Sequence, residues 1–372
     1  MRRFLAFVLL LIISATPVRA ESTMTLMEPT HRSVSGVFIN DELASAITPR
    51  GRLGKLLFER SGSVSTFIID VALLEEIQDL ADGYRFLDEA GEEIEIPEFL
   101  IAQIWLDTLR NAVRGKEVIA LPYGNPDREF LEKKARGEYE FLKETAQVRL
   151  RAALGVPVVM GDSLENENKS NLLIRNLSDS YRKSLRTAYV ASPAPEITTL
   201  RLRIAQLLNP ALPKESITPL SADLSAALRS NSKKLRIAGG NYTITSSRYD
   251  LPVTVTNDFS VPAKIELFVR ATNSRVIVGY TKPLEIPAKS QVQVQVPLEV
   301  IASGDTRLEF KIISSKGEQV GQSQYIPIRL AVISPITTWF TTGMAIILLL
   351  AAVVQSVRRI QGRKEKTGRK DE

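Results

Sequence analysis

The chain has no cysteine and only one histidine, His31, among its 372 residues. Without cysteine it has no disulfide bond, no thiol nucleophile and no thiolate ligand for zinc. A single histidine leaves a Ser-His-Asp triad, a zinc hydrolase and a metal-dependent deacetylase without required parts. We expect His31 itself to be a solvent-exposed residue of the N-terminal segment.

Signals for cofactors are equally scarce. The pair Gly239-Gly240 precedes a strand pattern rather than opening a helix, so it is not a phosphate-binding loop. No other motif names a cofactor. No motif in the sequence therefore predicts a cofactor or a metal site.

Long apolar runs occur only at the two ends of the chain. Arg2 and Arg3 precede the apolar run 4–13, and Val18-Arg19-Ala20 offers the small residues of a cleavage site, which predicts a signal peptide over residues 1–20. Residues 336–357 are almost free of charge. At the helical rise they would span roughly 33 Å, close to the hydrocarbon core of a bilayer. We therefore predict one transmembrane helix there.

The charge distribution predicts how this helix is oriented. Residues 358–372 form a basic tail with a net charge of +4, which favours an N-out, C-in topology and places the bulk of the chain outside the cytoplasm. The signal peptide carries +3, so the whole-chain charge of +6 leaves about −1 for residues 21–357. We therefore expect a single-pass protein of the cell membrane and no nucleic-acid partner. The missing disulfides favour a bacterial envelope.

The middle of the chain divides where its hydrophobic period changes. The predicted fold class is multidomain α/β plus all-β: a mainly parallel-sheet α/β domain, then an immunoglobulin-like β-sandwich and the transmembrane helix. The predicted segments are an N-terminal segment 21–34, the α/β domain 35–208, a connector 209–234 and the sandwich 235–333.

Within the α/β domain, short apolar runs alternate with longer helical patterns. The predicted strands are 36–39, 64–69, 117–121, 156–160 and a weaker 187–191. The predicted helices are 43–60, interrupted at 49–51, then 72–81, 97–114, 128–154 and 196–208, with a hairpin over 84–96 and another helix over 222–228. From residue 235 the period drops to two, with strands over 242–245, 253–256, 265–267, 291–296, 308–312 and 326–332.

Polar residues follow several of the predicted strands. Open parallel sheets place their ligands at the carboxyl ends of the strands. The candidate ligand-binding residues are therefore Asp41, Asp70, Tyr123, Asn125, Asp127 and Asp162. Two of the carboxylates could form a glycosidase-like pair with Tyr123 stacking on a sugar, or they could hold a hard cation. Asp and Asn before a helix are also common N-caps, with Asn125-Pro126 as cap and N1 proline, and Asp162 with Glu165 as a capping box. The sequence assigns no catalytic residue among them.

Several segments resemble a known family. They are GVFINDELA (36–44), PRGRL (49–53), IDVALL (69–74), ADGY (81–84), ALPYGNPD (120–127) and LPVTVTND (251–258). Together they resemble an uncharacterised family of actinobacterial exported, single-pass membrane envelope proteins, of which this chain looks like a shortened member. The resemblance implies a cell-envelope protein of unassigned activity, often associated with peptidoglycan-precursor export. It supplies no catalytic residues.

Two hypotheses of function follow. The one we favour is a non-enzymatic envelope protein, a scaffold or binding module for a cell-wall glycan, a precursor or a peptidoglycan-related partner protein. The alternative is a carbohydrate-active hydrolase that uses paired Asp residues at the strand ends of the α/β domain.

Overall fold

The computed structural model of the chain describes residues 22–88, 90–331 and 335–367, with the side chains of 339–359 in the last range. The predicted signal peptide lies outside the described residues, as does the end of the basic tail. The chain forms two compact units: an α/β unit of Met1–Ser180 with Thr199–Leu228, and a β-rich unit of Tyr181–Thr198 with Arg229–Glu372.

The region up to residue 231 mixes helices with short strands. In chain order they are β1 Thr23–Leu26, α1 Glu42–Ile47, α2 Arg52–Arg60, β2 Thr66–Ile69, α3 Val71–Asp82, β3 Tyr84–Leu87, β4 Glu93–Ile96, α4 Leu100–Ala112, β5 Glu117–Ala120, α5 Arg128–Leu154, β6 Val159–Met160, α6 Leu172–Ala191, α7 Pro195–Leu207 and α8 Lys214–Asn231. The order β1-β2-β5-β6 makes one parallel sheet, and β3 and β4 form a separate hairpin.

Three of the predicted strands form this parallel sheet, but the predicted first strand, 36–39, does not. Its place is taken by β1. Phe38 makes only isolated bridges, to Arg32 and Phe86, and its buried ring lies edge-on to Tyr84 with centroids 5.6 Å apart. This apolar run therefore packs against the β3–β4 hairpin instead of entering the sheet.

The predicted fifth strand, 187–191, was also wrong, because these residues form the last turns of α6. Leu185, Ala188 and Ala191 are buried at helical spacing, and this one-sided burial stabilises a helix. Most helix predictions agree with the structure, including the break between α1 and α2 and the bounds of α5, which has a kink at Ala135. The predicted helix 222–228 is only part of the longer α8, and the sequence did not predict that α6 is a helix. Trp105 is fully buried and its Nε1 donates to the Leu53 carbonyl at 3.4 Å, so it belongs to the core.

The β-rich unit contains two sheets. Its strands are β7 Leu235–Ala238, β8 Tyr242–Ile244, β9 Arg248–Asn257, β10 Ala263–Ala271, β11 Val276–Val278, β12 Leu284–Ile286, β13 Ser290–Val300, β14 Gly304–Ser314 and β15 Gln319–Leu330. One sheet has the order β12-β10-β14-β15-β8 and the other β11-β13-β9-β7. Alternate residues of the long strands are buried, as the period of two predicted.

The described chain ends in one long helix, α9, over Pro335–Thr367. Its stretch Trp339–Arg359 has a mean hydropathy of 2.1 and none of it is buried within the described residues. This stretch is long and apolar enough to cross a membrane. It is consistent with a single-pass anchor.

Candidate functional site

The strand ends of the parallel sheet bring most of the candidate residues to one edge. Asp70 follows β2, residues 122–127 follow β5, and Asp162 follows β6. Because these three strands are neighbours and parallel, their carboxyl ends meet. Asp41 follows no strand: it precedes α1, is exposed, and makes no side-chain capping bond. It is therefore not part of this edge.

Asp70 lies at the centre of the edge and is fully buried. Its Oδ1 accepts the amide of Ala72 at 3.0 Å, which caps α3, and the amide of Gly124 at 3.1 Å. Its Oδ2 has no hydrogen-bond partner among the described residues. Burial raises the pKa of this carboxyl to about 7, against the lowering effect of the two amides. Asp70 therefore joins the ends of β2 and β5 and is closed to a ligand.

Tyr123 is 2% exposed, so neither face of its ring is free for a sugar. Its hydroxyl donates to Glu75 Oε2 at 2.6 Å, and Arg149 donates to Glu75 Oε1 at 2.7 Å. Burial raises the pKa of Tyr123 well above its usual value, and the charge of Glu75 adds to that effect. This tyrosine is a structural donor that fixes Glu75 on α3.

The sequence predicted Asn125 as the N-cap of the helix after β5, but this prediction was wrong. Helix α5 begins at Arg128, so its N-cap is Asp127, whose Oδ1 accepts the amide of Phe130 at 3.0 Å. Asn125 is buried in a left-handed conformation, with φ at 47°, and its Oδ1 accepts the amide of Leu164 at 2.9 Å. Asn125 therefore holds the loop after β6.

The second oxygen of Asp127 is fully engaged as well. Its Oδ2 accepts both the amide and the hydroxyl of Ser170 at 2.9 Å, and it pairs with Arg175. Burial alone would raise the pKa of Asp127, but the hydrogen bonds from Phe130, Ser170 and Arg175 outweigh it and hold that pKa below the usual value. Such a carboxylate is a poor general acid.

Asp162 is the exposed residue among the candidates at this edge. No helix begins after it, because the chain runs as a loop to α6, so the predicted capping box with Glu165 is wrong. Lys143 Nζ donates to its Oδ1 at 2.8 Å, and Arg128 lies 3.4 Å from its Oδ2. The Lys143 hydrogen bond is the main reason why the pKa of Asp162 is lowered.

The end of α7 and the residues after it close this edge of the sheet. Asn209 Nδ2 donates to the Gly124 carbonyl at 3.0 Å, and the Asp127 amide donates to the Leu208 carbonyl at 2.9 Å. Gly124 has φ at 77°, and a Cβ there would lie 2.7 Å from the Cα of Gln206. Only glycine permits both this conformation and this close approach.

Beneath this closure lies a buried polar network that sequence reasoning missed. Glu76, 2% exposed on α3, accepts the His31 amide at 3.1 Å and Gln206 Nε2 at 2.8 Å, and it also accepts the hydroxyl of Thr30. Arg203 lies 3.7 Å from its Oε1. The sequence carried one signal for this network, because Glu76 lies on the apolar face of the predicted helix 72–81.

His31 belongs to the same network and is 5% exposed, so the expectation of a solvent-exposed histidine was wrong. Its Nδ1 lies 3.0 Å from Asn40 Oδ1. The N-terminal segment is therefore packed into the α/β unit.

An open cleft of about 650 Å³ adjoins this edge, beside Asp127 and the loop that follows β6. Its charged lining residues are Asp127, Arg128, Glu129, Glu132, Glu165, Glu167 and Lys169. Acidic side chains outnumber basic ones in this lining. The cleft is the place near the candidate residues where solvent-accessible polar groups converge.

The chemistry open to this edge is limited by its contacts. A glycosidase pair needs two carboxyl groups about 5 to 10 Å apart across an open cleft, one of them able to donate a proton. Asp70 is enclosed and Asp127 is held ionised by four donors. In the part of the chain that the structure describes, no three His, Cys, Asp or Glu side chains are grouped so as to hold a metal ion.

Comparison with protein families gives one match. Residues 178–362 match the family described as "Family of unknown function (DUF6049)". The matched region runs from α6 through the β-rich unit into α9. The chain is thus similar to an uncharacterised family over about half of its length. No curated protein matches the chain significantly.

Similar solved structures cover only about a quarter of the chain. Alpha-2-macroglobulin from Escherichia coli is 13% identical over 26% of this chain and 16% of that chain, with a TM-score of 0.22. WR4, a C. elegans MSP family member, is 10% identical over 27% and 98% of the two chains, with a TM-score of 0.20. The PapD-like domain 7 of human CEP192 is 12% identical over 27% and 85%, with a TM-score of 0.21. TM-scores this low do not establish a shared fold.

Proposed function

We propose that this chain is a single-pass, extracytoplasmic protein of the bacterial cell envelope that acts by binding rather than by catalysis. In this proposal the α/β unit binds a cell-wall glycan, a wall precursor or a peptidoglycan-related partner protein. The β-rich unit is an immunoglobulin-like module that precedes the membrane anchor in the chain. The similarity to a family of unknown function and the apolar α9 are compatible with this role.

The observation that carries the non-enzymatic part is the occupation of the strand-end carboxylates. Asp70 and Asp127 accept hydrogen bonds from backbone amides and side chains of this chain itself. A catalytic carboxylate needs a free oxygen that faces substrate. Both oxygens of Asp127 are engaged, and the unpartnered Oδ2 of Asp70 is buried away from any substrate. These two carboxylates instead fasten loops to the sheet, which is a structural role. The hydrolase alternative therefore has no supporting contact at this edge.

The ligand in this proposal lies in the cleft beside Asp127. We expect the detergent-solubilised chain to sediment with purified peptidoglycan sacculi and to release no reducing ends from them. Asn166→Trp places a bulky side chain in the cleft lining, and we expect it to lower the sedimenting fraction at least about fivefold, since ligand pockets depend on free volume. The measurement is co-sedimentation combined with a reducing-end assay.

The matched control is Asn111→Trp, an exposed position at the end of α4 that is not part of the cleft lining. It should bind sacculi like the unaltered chain. If reducing ends accumulate and Asp127→Asn abolishes them without unfolding the unit, the protein is a hydrolase and the binding proposal is wrong.

The proposed topology has its own test, which the absence of cysteine makes direct. Ser274→Cys lies on an exposed turn of the β-rich unit, and Thr367→Cys is the last described residue after the apolar span. In intact spheroplasts, a membrane-impermeant maleimide should label the first variant and leave the second unlabelled until the membrane is permeabilised. Labelling of Thr367→Cys alone in intact spheroplasts would show the opposite orientation and contradict the proposed topology.

A further inference from the structure

The β-rich unit has a long strand, β13, whose outer edge is largely unpaired. Its inner edge pairs with β9 along its length, from Ser290 opposite Asn257 to Glu299 opposite Arg248. On the outer edge, β11 pairs only with Leu298–Val300. The Gly279 amide extends this pairing by one bond, to the Pro297 carbonyl at 2.8 Å.

Beyond that bond the covering segment leaves for the other sheet. Thr281 donates its hydroxyl to the Leu267 carbonyl at 2.7 Å, and Leu284 pairs with Ile265 of β10. Both partners belong to the sheet that does not contain β13. The part of β13 before Pro297 is therefore left without an outer neighbour.

The hydrogen bonds at the ends of β13 show which backbone groups face outward. The Val300 amide donates to the Ser247 carbonyl, on the β9 side, whereas the Pro297 carbonyl accepts from the Gly279 amide on the outer side. Successive residues of a strand point their backbone amide and carbonyl groups to opposite edges, so every second residue points the same way as Pro297. The amides and carbonyls of Gln291, Gln293 and Gln295 therefore point outward. Among the described residues, these groups have no backbone or side-chain hydrogen-bond partner.

Other sheet edges of this unit carry the features that prevent strand addition. Edge strands β8, β11 and β12 have only three residues each, and β7 has four. The stretch of β9 beyond β7 carries Arg248, Asp250 and Pro252. Along β15, Gly321 with φ at 70° and Pro327 interrupt the edge. Short length, charge and proline are the usual protections of edges.

The stretch Ser290–Val296 of β13 has none of these protections. Its sequence, SQVQVQV, carries no charge and no proline. The glutamines face solvent, whereas Val294 and Val296 are buried. An uncharged, regular edge of this kind is a template for another strand.

We infer that this edge pairs with the same edge of a second copy of the chain, β13 against β13 in antiparallel orientation about a twofold axis through Gln293. In that register Gln293 faces its own equivalent, and Gln291 faces Gln295 of the other copy. The alternation of Gln and Val is unchanged by this reversal, so glutamine meets glutamine on the open face and valine meets valine on the buried face. Such a contact is isologous and closes on itself as a dimer. This inference goes beyond the proposed function and does not depend on any ligand.

A cysteine-free chain allows the register to be tested by single-site crosslinking. Paired residues that exchange hydrogen bonds have Cα atoms about 5.5 Å apart, within the range that a disulfide bridges. We expect Gln293→Cys, in the full-length chain in membranes, to give a covalent dimer on mild oxidation. The matched control Gln291→Cys places the two thiols about four residues apart along the paired strands, roughly 14 Å, so its dimer yield should be at least about fivefold lower.

A second pair of variants tests the hydrogen bonds themselves. Gln293→Pro removes an outward amide without removing a bond to β9, and Gln293→Ala keeps that amide. We expect the proline variant to raise the dimer dissociation constant about ten- to thirtyfold and the alanine variant to leave it nearly unchanged, as measured by sedimentation of the full chain in detergent. Unchanged thermal unfolding of both variants would show that the unit remains folded.

Three results would overturn the inference. They are equal crosslinking of the Gln293→Cys and Gln291→Cys chains, equal dimer dissociation constants for the proline and alanine variants, and a monomeric chain at all concentrations. If the chain is monomeric, the partner of this edge would be an extended segment of another protein instead of a second copy.

Discussion

We expect Glu76→Ala to lower the free energy of unfolding of the α/β unit by about 3–5 kcal/mol, because it leaves a buried charge without its partner. The carboxylate of Glu76 accepts from His31 and Gln206 and lies 3.7 Å from Arg203. Removing it orphans these donors in a region that is closed to water. It also unfastens the N-terminal segment from α3 and α7.

This loss can be measured by denaturant unfolding of the full chain in detergent. The chain has two tryptophans, and Trp105 is the one buried in the α/β unit, so a Trp339→Phe background makes the fluorescence report that unit alone. Glu144→Ala, at an exposed position of α5, is the matched control and should change stability by no more than about 0.5 kcal/mol.

Glu76→Gln separates charge from hydrogen bonding. Its amide oxygen still accepts a hydrogen bond, but its NH₂ group meets donors, so we expect an intermediate loss of about 1–3 kcal/mol. A loss below about 1 kcal/mol for Glu76→Ala would contradict the proposed importance of the network.

We expect the second large effect to be a pH dependence set by Asp70. Burial raises its folded-state pKa from 3.8 to about 7, so the folded chain binds this proton more tightly than the unfolded chain. The resulting stabilisation is complete below pH 3.8 and is lost as the pH rises through 7. Between pH 5 and pH 8, this group should lower the free energy of unfolding by about 2–3 kcal/mol.

Asp70→Asn is the matched variant, because an amide resembles the protonated carboxyl. Its oxygen can still accept the amides of Ala72 and Gly124, so the capping of α3 and the link to β5 are kept. We expect the variant to be at least as stable as the unaltered chain at pH 8 and to lose this part of the pH dependence. Subtracting the two stability profiles cancels the other titrating groups, and parallel profiles would contradict the role of Asp70.

Asp127 should not contribute over the same pH range. Its folded-state pKa is lowered, so its stabilisation is present above the unfolded value and is lost as the pH falls through the folded value. Both values lie below pH 5. The two aspartates at this edge therefore act on stability in opposite directions and in separate pH ranges.

Much of the local structure could be predicted because its determinants are local. Helix α5 was predicted at its observed bounds from its period, and Gly155 ends it in a left-handed conformation. Its predicted N-cap, Asn125, was wrong, because Asp127 caps the helix. The hairpin β3–β4 and the long alternating strands follow from periods that a few residues define. The predicted strand 36–39 failed because its apolar residues satisfy two structures equally well, and only the packing of Phe38 on Tyr84 decides between them.

The candidate site could be predicted only in outline. The sequence indicated which polar residues follow strands, and four of the six residues meet at the ends of β2 and β5. It could not indicate that Asp70 and Tyr123 are enclosed, because the residues that enclose them come from distant segments. Gln206 reaches Glu76 across 130 positions of sequence, and Asn209 reaches Gly124 across 85.

The sequence by itself determined the apolar, membrane-length α9, the change from helical to alternating period near residue 235, and the exclusion of thiol and histidine-triad chemistry. These follow from composition and from patterns within one element, which need no knowledge of neighbours. The tertiary structure alone decided that the strand-end carboxylates hold the α/β unit together, and that one edge of β13 lies open. Burial and edge pairing depend on which distant segments pack together, and this long-range packing sets whether a carboxylate or a backbone amide is available to a partner.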